Sequence, residues 1–317
     1  MSKNIIKANP TKEFFISMLT RDITTDRAIL DLIDNSVDAA YKNDKMDTRI
    51  DIGINLDSFT IKDNAGGLDL EIAKKYAFCF GRSASTPETP NSIGQFGVGM
   101  KRTLFKIGTE FDVMSKHNKI AYKVPVNVTE WVTKPNDWDF SFELIGEHEL
   151  KEGETKIIVS KLKPEVKELF SEKTFINNLQ REISTAYFKH LHNGIKIFFN
   201  DQEIKSQDIL IKTSKTLGAV KEVYIVDGVT ITIICGVTDR DKGSGGWNVV
   251  CNGRLVSESE QTELTGWGVN GIPKYHANFA FFRGLVEFTS ADSSKLPWTT
   301  TKTGVDREPS LKLLEAA

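Results

Sequence analysis

The run RAILDLIDNSVDAA, residues 27–40, constrains the fold most, because its apolar and acidic residues separate onto opposite sides of a single helix. With Asp31 set at zero and about 100° per residue, Asn35 falls at roughly 40°, Asp38 at roughly −20° and Asp34 at roughly −60°. These polar groups form one narrow stripe. Ile29, Leu32, Ile33, Ser36, Val37 and Ala40 cover the opposite arc, which is a core face, so the helix docks by its apolar side. The stripe holds no Lys or Arg to balance its three acids, and Asn35 is a poor helix former in mid-run. A solvated charged face is one explanation. Another is a Mg²⁺-bound polyphosphate, since Mg²⁺ takes hard oxygen ligands from one or two protein groups, phosphates and water.

Around this helix, near Asp26 to Tyr41, helical and strand-like patterns alternate: RIDIGIN with Ile50, Ile52 and Ile54 at period two, SFTIKD, a hairpin in FDVMSKHNKIAYKV turning near His117 and Asn118, and the strand TKIIVSKL. The 317 residues suggest about two domains. The Pro- and charge-rich KLKPEVKELFSEK is the best boundary, giving a first domain at 1–162 and a smaller β-rich domain at 163–317. The latter opens with the helical pattern FINNLQREISTAYFKHL and continues with IKIFFNDQEI, VYIVDGVTITIICGV, WNVVCNGRLV and FAFFRGLVEFT as strands. The fold class expected is α+β, a mixed sheet with helices on one face followed by a β-rich α/β unit. A net charge of −2 offers no global attraction for nucleic acid or an anionic membrane. No apolar run approaches about 18 residues and no signal peptide is evident, so a cytoplasmic protein without membrane contact is expected. Cys79, Cys235 and Cys251 share no metal-ligand spacing and are expected to be buried thiols.

Two glycine-rich segments carry further chemistry. In DNAGGLD, Asp63 ends a strand, and Gly66 and Gly67 permit a tight turn and close approach of a ligand; a carboxylate there accepts a hydrogen bond from an exocyclic amine. An ordinary capped turn reads the same way. In SIGQFGVGMKRTLFKIG, Gly94, Gly97 and Gly99 precede a helical pattern whose first turns carry Lys101, Leu104 and Ile107, an arrangement that presents free N–H groups to phosphate. It is neither a Walker loop nor a dinucleotide fingerprint. The intervening FGRSASTPETPNS is small and polar as a lid would be, and the lid is expected at residues 81–93.

Together, DLIDNSVDA, DNAGG and IGQFGVG, in this order and at this separation, resemble the nucleotide-binding boxes of the GHKL (Bergerat-fold) ATPases, a superfamily that covers gyrase B, MutL, histidine kinases, MORC proteins and heat-shock protein 90 chaperones. The resemblance implies ATP and Mg²⁺ as ligands, Asn35 as the metal-binding residue, and Asp38 beside it on the nucleotide. It implies Asp63 on the adenine amine with Gly67 beside the base. Gly94, Gln95, Phe96, Gly97, Val98, Gly99, Met100 and Lys101 would line the phosphates, and Thr155 in EGETKIIV would be the adenine-side threonine. Four residues before the metal-binding asparagine, hydrolysing members carry Glu as general base, whereas this chain has Asp31, shorter by about 1.5 Å. Asp34 is a second candidate base, and slow hydrolysis is expected.

WNVVCNGRLV and FFRGLVEFTSADSSKLPWTTTKTGVD resemble the transducer domain that follows the ATP site in gyrase B, MutL and MORC-type members. There a loop lysine reaches the γ-phosphate, and by motif position it is Lys302. No phosphoacceptor-helix pattern precedes the first box, which disfavours a histidine kinase. GSGG at 243–246 is expected to be a flexible hairpin end. Relatives are commonly longer, and the end at KLLEAA suggests a shortened chain. The resemblance implies a slowly hydrolysing, ATP-gated homodimer clamp, MORC-like or chaperone-like. A nucleotide-sensing interaction module without useful turnover is the rival reading, and neither DNA nor a protein client is identified as cargo, the moderately basic 156–216 reading equally as a solvated lysine face.

Overall fold

The computed structural model describes residues 10–81, 91–93, 99–241, 243–269, 271–299, 301–302 and 304–306. The chain is α+β. Its larger sheet contains β1 (Arg49–Ile54), β2 (Phe59–Asp63), β3 (Gly108–His117), β4 (Ile120–Asn127), β5 (Glu143–Leu144), β6 (Thr155–Leu162), β7 (Lys196–Phe199) and β8 (Gln202–Glu203), in the spatial order β5-β4-β3-β6-β2-β1-β7-β8. β1 and β7 run parallel and the other neighbours antiparallel. The helices are α1 (Lys12–Arg21), α2 (Thr25–Lys42), the short α3 (Leu70–Ile72), α4 (Gly99–Ile107), α5 (Val128–Val132), α6 (Pro164–Ser171), α7 (Lys173–Ala186) and α8 (Phe188–His192). A second sheet holds β9 (Val220–Val226), β10 (Val229–Val237), β11 (Gly246–Cys251), β12 (Arg254–Glu260) and β13 (Phe282–Thr289), in the order β12-β11-β13-β10-β9.

The two periodicities in the sequence meet in one core. Ile50, Ile52 and Ile54 of β1 and Phe59 and Ile61 of β2 are buried, as are Ile29, Leu32, Ile33, Val37 and Ala40 of α2, all in one cluster. Each such side chain is worth about 1.5–3 kcal/mol when removed from water, which outweighs the weak helix propensity of the β-branched residues. Asp26 in the first turn of α2 and Lys42 in the last complement its dipole. Thr103 of α4 donates its hydroxyl to the Ala28 carbonyl at 2.6 Å, fixing α4 across α2.

The hairpin in FDVMSKHNKIAYKV is β3–β4, its turn residues Asn118 and Lys119 both at positive φ. Other expectations need correction. KIFF, read as part of the second half, is β7 of the first sheet, so the sheets change over after residue 203 rather than at 162. Its parallel partner β1 lies far back in the chain, and such a pairing needs a long crossover, supplied here by α6–α8. The boundary segment itself is helical, with Pro164 at the first position of α6, where its missing N–H costs nothing. GSGG does not close a hairpin: β10 and β11 flank β13 on opposite sides, and the glycines lie on the connection that passes it. Of the cysteines only Cys251 is buried; Cys235 is partly exposed and Cys79 exposed, after a π-helical turn at Ala73–Ala77. Among the described residues, no helix is long and apolar enough to cross a membrane.

The second sheet is keyed onto the first unit at His190 of α8. Its ring is 2% exposed, with Nδ1 3.0 Å from the Tyr41 hydroxyl and Nε2 without a partner. A Cβ at Gly253, in the β11–β12 turn, would lie 2.7 Å from this ring, so only glycine fits. Burial pushes the His190 pKa down to about 4, against the opposing pull of Asp34. The unfolded chain therefore takes up this proton first as pH falls. Stability from the neutral ring is complete above the unfolded value of about 6.5 and is lost as pH falls towards about 4, by about 3 kcal/mol in total. Urea titrations at pH 7 and pH 5 are expected to show this loss, and His190→Phe should flatten it. An unchanged pH slope in the variant would count against His190 as its source.

Candidate functional site

α2 presents its polar stripe to three different surroundings. Asp38 is partly buried, and its Oδ1 accepts the Ile93 N–H at 2.7 Å, so it holds the end of the segment read as a lid. Asn35 is exposed. Asp31 and Asp34 are buried, at 5% and 1% exposure, although both lie on the polar stripe.

The burial of this acid pair is explained by cations that arrive from elsewhere. Asp34 Oδ1 accepts from Arg254 Nε at 3.1 Å and from the Tyr187 hydroxyl at 2.6 Å, and its Oδ2 lies 2.7 Å from Lys302 Nζ. Asp31 Oδ2 accepts from Arg102 Nη2 at 2.5 Å, and its Oδ1 lies 3.3 Å from Lys302 Nζ. The stripe is thus not short of positive charge once folded. Three cations surround two carboxylates, and two of them, Arg254 and Lys302, come from the part of the chain that carries the second sheet. Burial would raise the pKa of Asp34, but Lys302, Arg254 and the Tyr187 hydrogen bond outweigh it and hold the carboxyl below the usual range. Burial would likewise lower the Lys302 amine, yet Asp34 and Asp31 leave it above its ordinary value. A lysine 6% exposed and at φ 53° is held in a left-handed conformation that costs L-residues about 1–2 kcal/mol. The Thr299–Lys302 turn and the Trp298–Val305 bridge impose that conformation.

At the other end of α2, Asp63 closes β2. Its Oδ2 accepts the Ser36 hydroxyl at 2.7 Å and its Oδ1 the Ala65 N–H at 3.0 Å, which fixes the plane of the carboxylate. Burial raises its pKa, and the Ser36 and Ala65 hydrogen bonds offset part of that. In register, Asp63 faces Thr155 of β6, which in turn faces Ser115 of β3, so the three form one row on one face. The Ser115 and Thr155 hydroxyls are 3.1 Å apart. Gly67, at φ 74°, sits where a Cβ would come within 2.2 Å of the Lys116 carbonyl oxygen. Its smallness is thus required by the β3–β4 hairpin, whatever else lies beside it.

Gly99 opens α4 against Asp31, a Cβ there falling 3.5 Å from the Asp31 carboxylate. Lys101 is buried, donates to the Ala77 carbonyl at 2.7 Å and is pushed down to about 8 by burial. Met100 packs partly into the core. Gly94, Gln95, Phe96, Gly97 and Val98 lie outside the described residues, as do 82–90 of the segment read as a lid. The last residues of that segment touch the second unit: Asn91 N–H donates to Ala291 O at 3.1 Å, and Asn252 Nδ2 to Ser92 O at 3.3 Å.

The structure therefore brings Asp31, Asp34 and Lys302 together, and Asp63 with Thr155. Sequence reasoning missed Arg102, Arg254, Tyr187, Ser36 and Ser115. An acid stripe without local cations was the available signal for the two arginines, and the Asn252–Gly253 turn marks where one of them returns. Ser36 was placed on the core face, and nothing in the sequence relates it to Asp63. A family model described as histidine kinase-, DNA gyrase B-, and HSP90-like ATPase matches residues 23–152. No curated protein matches the chain significantly.

Proposed function

We propose, from the match of residues 23–152 to the histidine kinase-, DNA gyrase B-, and HSP90-like ATPase family model, that the chain is an ATP-binding, slowly hydrolysing, Mg²⁺-dependent, ATP-gated switch. Asp63 accepts the adenine amine, with Gly67 and Thr155 beside the base. The start of α4, the glycine segment before it and Lys101 take the phosphates, Lys101 turning from the Ala77 carbonyl to do so. Asn35 suits the metal, since its exposed amide offers a hard oxygen without adding charge to an acid-rich face. When bound, Mg²⁺ neutralises phosphate charge.

One observation carries the switch reading: Lys302 and Arg254, from the second unit, end on Asp31 and Asp34 of the ATP helix in a single buried cluster. Among the described residues Arg102, Arg254 and Lys302 contact the two carboxylates, and Lys302 is shared between both acids. A γ-phosphate competes for that lysine, whereas ADP does not offer the extra charge. ATP and ADP then favour different placements of the second unit, which is the differential contact a two-state switch requires. Lys302→Ala is expected to bind ADP as the wild type does, bind a non-hydrolysable ATP analogue more weakly, and show no analogue-dependent change in small-angle scattering. The same compaction in variant and wild type would remove Lys302 from the coupling. Sedimentation with and without the analogue, and with and without DNA, reads out dimer formation and cargo for a clamp of the MORC or chaperone kind. The rival, a sensor without useful turnover, is favoured by the capping of both Asp31 oxygens by cations, and single-turnover hydrolysis separates the two.

A further inference from the structure

Arg102 lies in the first turn of α4, one residue beyond Lys101, and its side chain is 13% exposed. Its Nη2 donates to Asp31 Oδ2 at 2.5 Å, while its Nε is buried without any hydrogen-bond partner. A guanidinium can grip a carboxylate with two parallel N–H groups. Here it uses its tip on one oxygen and leaves an N–H unsatisfied, an arrangement that costs stability and calls for a functional explanation. The other oxygen, Oδ1, faces, among the described residues, the longer 3.3 Å contact from Lys302, which belongs to the 297–306 loop.

We propose that Arg102 is the positioning residue of Asp31: by anchoring Oδ2 it makes Oδ1 the one proton-accepting atom once Lys302 leaves for phosphate. This rests on the hydrolysis reading given above. α2 and α4 are packed together and joined by the Thr103–Ala28 hydrogen bond, so the Arg102 anchor stays with the helix pair, whereas Lys302 arrives from the second unit. A short aspartate held in one rotamer then presents a single oxygen to water. Oδ1 takes a proton from that water, whose oxygen bonds to the terminal phosphorus. The bond from that phosphorus to the bridging oxygen breaks, its electron pair leaving on ADP.

The test is steady-state ATP hydrolysis by Arg102→Ala, Arg102→Lys, Asp31→Asn and the Asp31→Asn double variants, with melting temperatures alongside. Arg102→Ala should lower kcat about tenfold or more at unchanged KM for ATP, Arg102→Lys should recover part of it, and neither should lower turnover further in the Asp31→Asn background. If the alanine variant folds poorly, Arg102→Lys carries the test by a few-fold lower kcat that vanishes in that background. A raised KM at full kcat would make Arg102 a phosphate contact, and an equal fall in kcat with and without Asp31 would make it structural; either overturns the proposal. Full turnover in Asp31→Asn alone overturns the underlying base assignment instead, a failure that is visible without any Arg102 variant.

Discussion

Asp34→Asn is expected to cost the folded protein about 3–5 kcal/mol, because it removes the carboxylate that Arg254 and Lys302 share and leaves those buried cations with less negative charge beside them. Asp34 is 1% exposed, and the Arg254 side chain that meets it 2% exposed, so solvent screens little of the loss. The amide retains the shape of the carboxylate and the neighbourhood of Tyr187, so the change is one of charge rather than of packing. A fall of about 10 °C in melting temperature is anticipated, measured by calorimetry without nucleotide. Since Asp34 ties α2 to the second unit, the variant should also be cut more readily by protease between residues 203 and 220, where the sheets change over. A variant that melts with the wild type would mean that the cluster is held by the surrounding packing and not by its charges.

Asp31→Asn should leave nucleotide binding near the wild-type level and lower turnover by roughly a hundredfold or more. The amide cannot accept a proton from water, yet it can still accept hydrogen bonds from Arg102 and Lys302. Asp31→Glu probes reach: a higher rate would show that the wild type is limited by the position of its base, while a lower rate would show that Arg102 and Lys302 have shaped the site around the shorter side chain. Calorimetry for binding and phosphate release for turnover distinguish these outcomes. Turnover that persists in Asp31→Asn moves the base to Asp34 or removes a carboxylate base from the mechanism.

The first half was largely legible because its signals are local. The apolar arc of RAILDLIDNSVDAA, the period-two isoleucines of β1 and the DNAGG turn each report their conformation within a few residues, and all three appear as read. Thr155 was reached only through resemblance; that it faces Asp63 across β2 and β6 is a pairing of distant strands that a linear reading does not give. KIFF was misassigned for the opposite reason. A four-residue apolar run signals a strand but not a sheet, and its partner Arg49–Ile52 lies beyond three helices and most of the first sheet.

The sequence by itself determined that α2 is helical and β1 extended, which face of α2 is apolar, and that Asp31, Asn35 and Asp38 share one stripe with Asp34. These follow from periods of 3.6 and 2, which a linear string records directly. Only the tertiary structure decided that two of those acids are buried and charge-balanced while Asn35 stays exposed. Burial and pairing depend on which distant segment covers a side chain: Arg102 comes from 71 residues away, Arg254 from 220 and Lys302 from 268. A helical wheel shows where a carboxylate points along its own helix, but the cation that meets it is placed by chain closure over the whole fold.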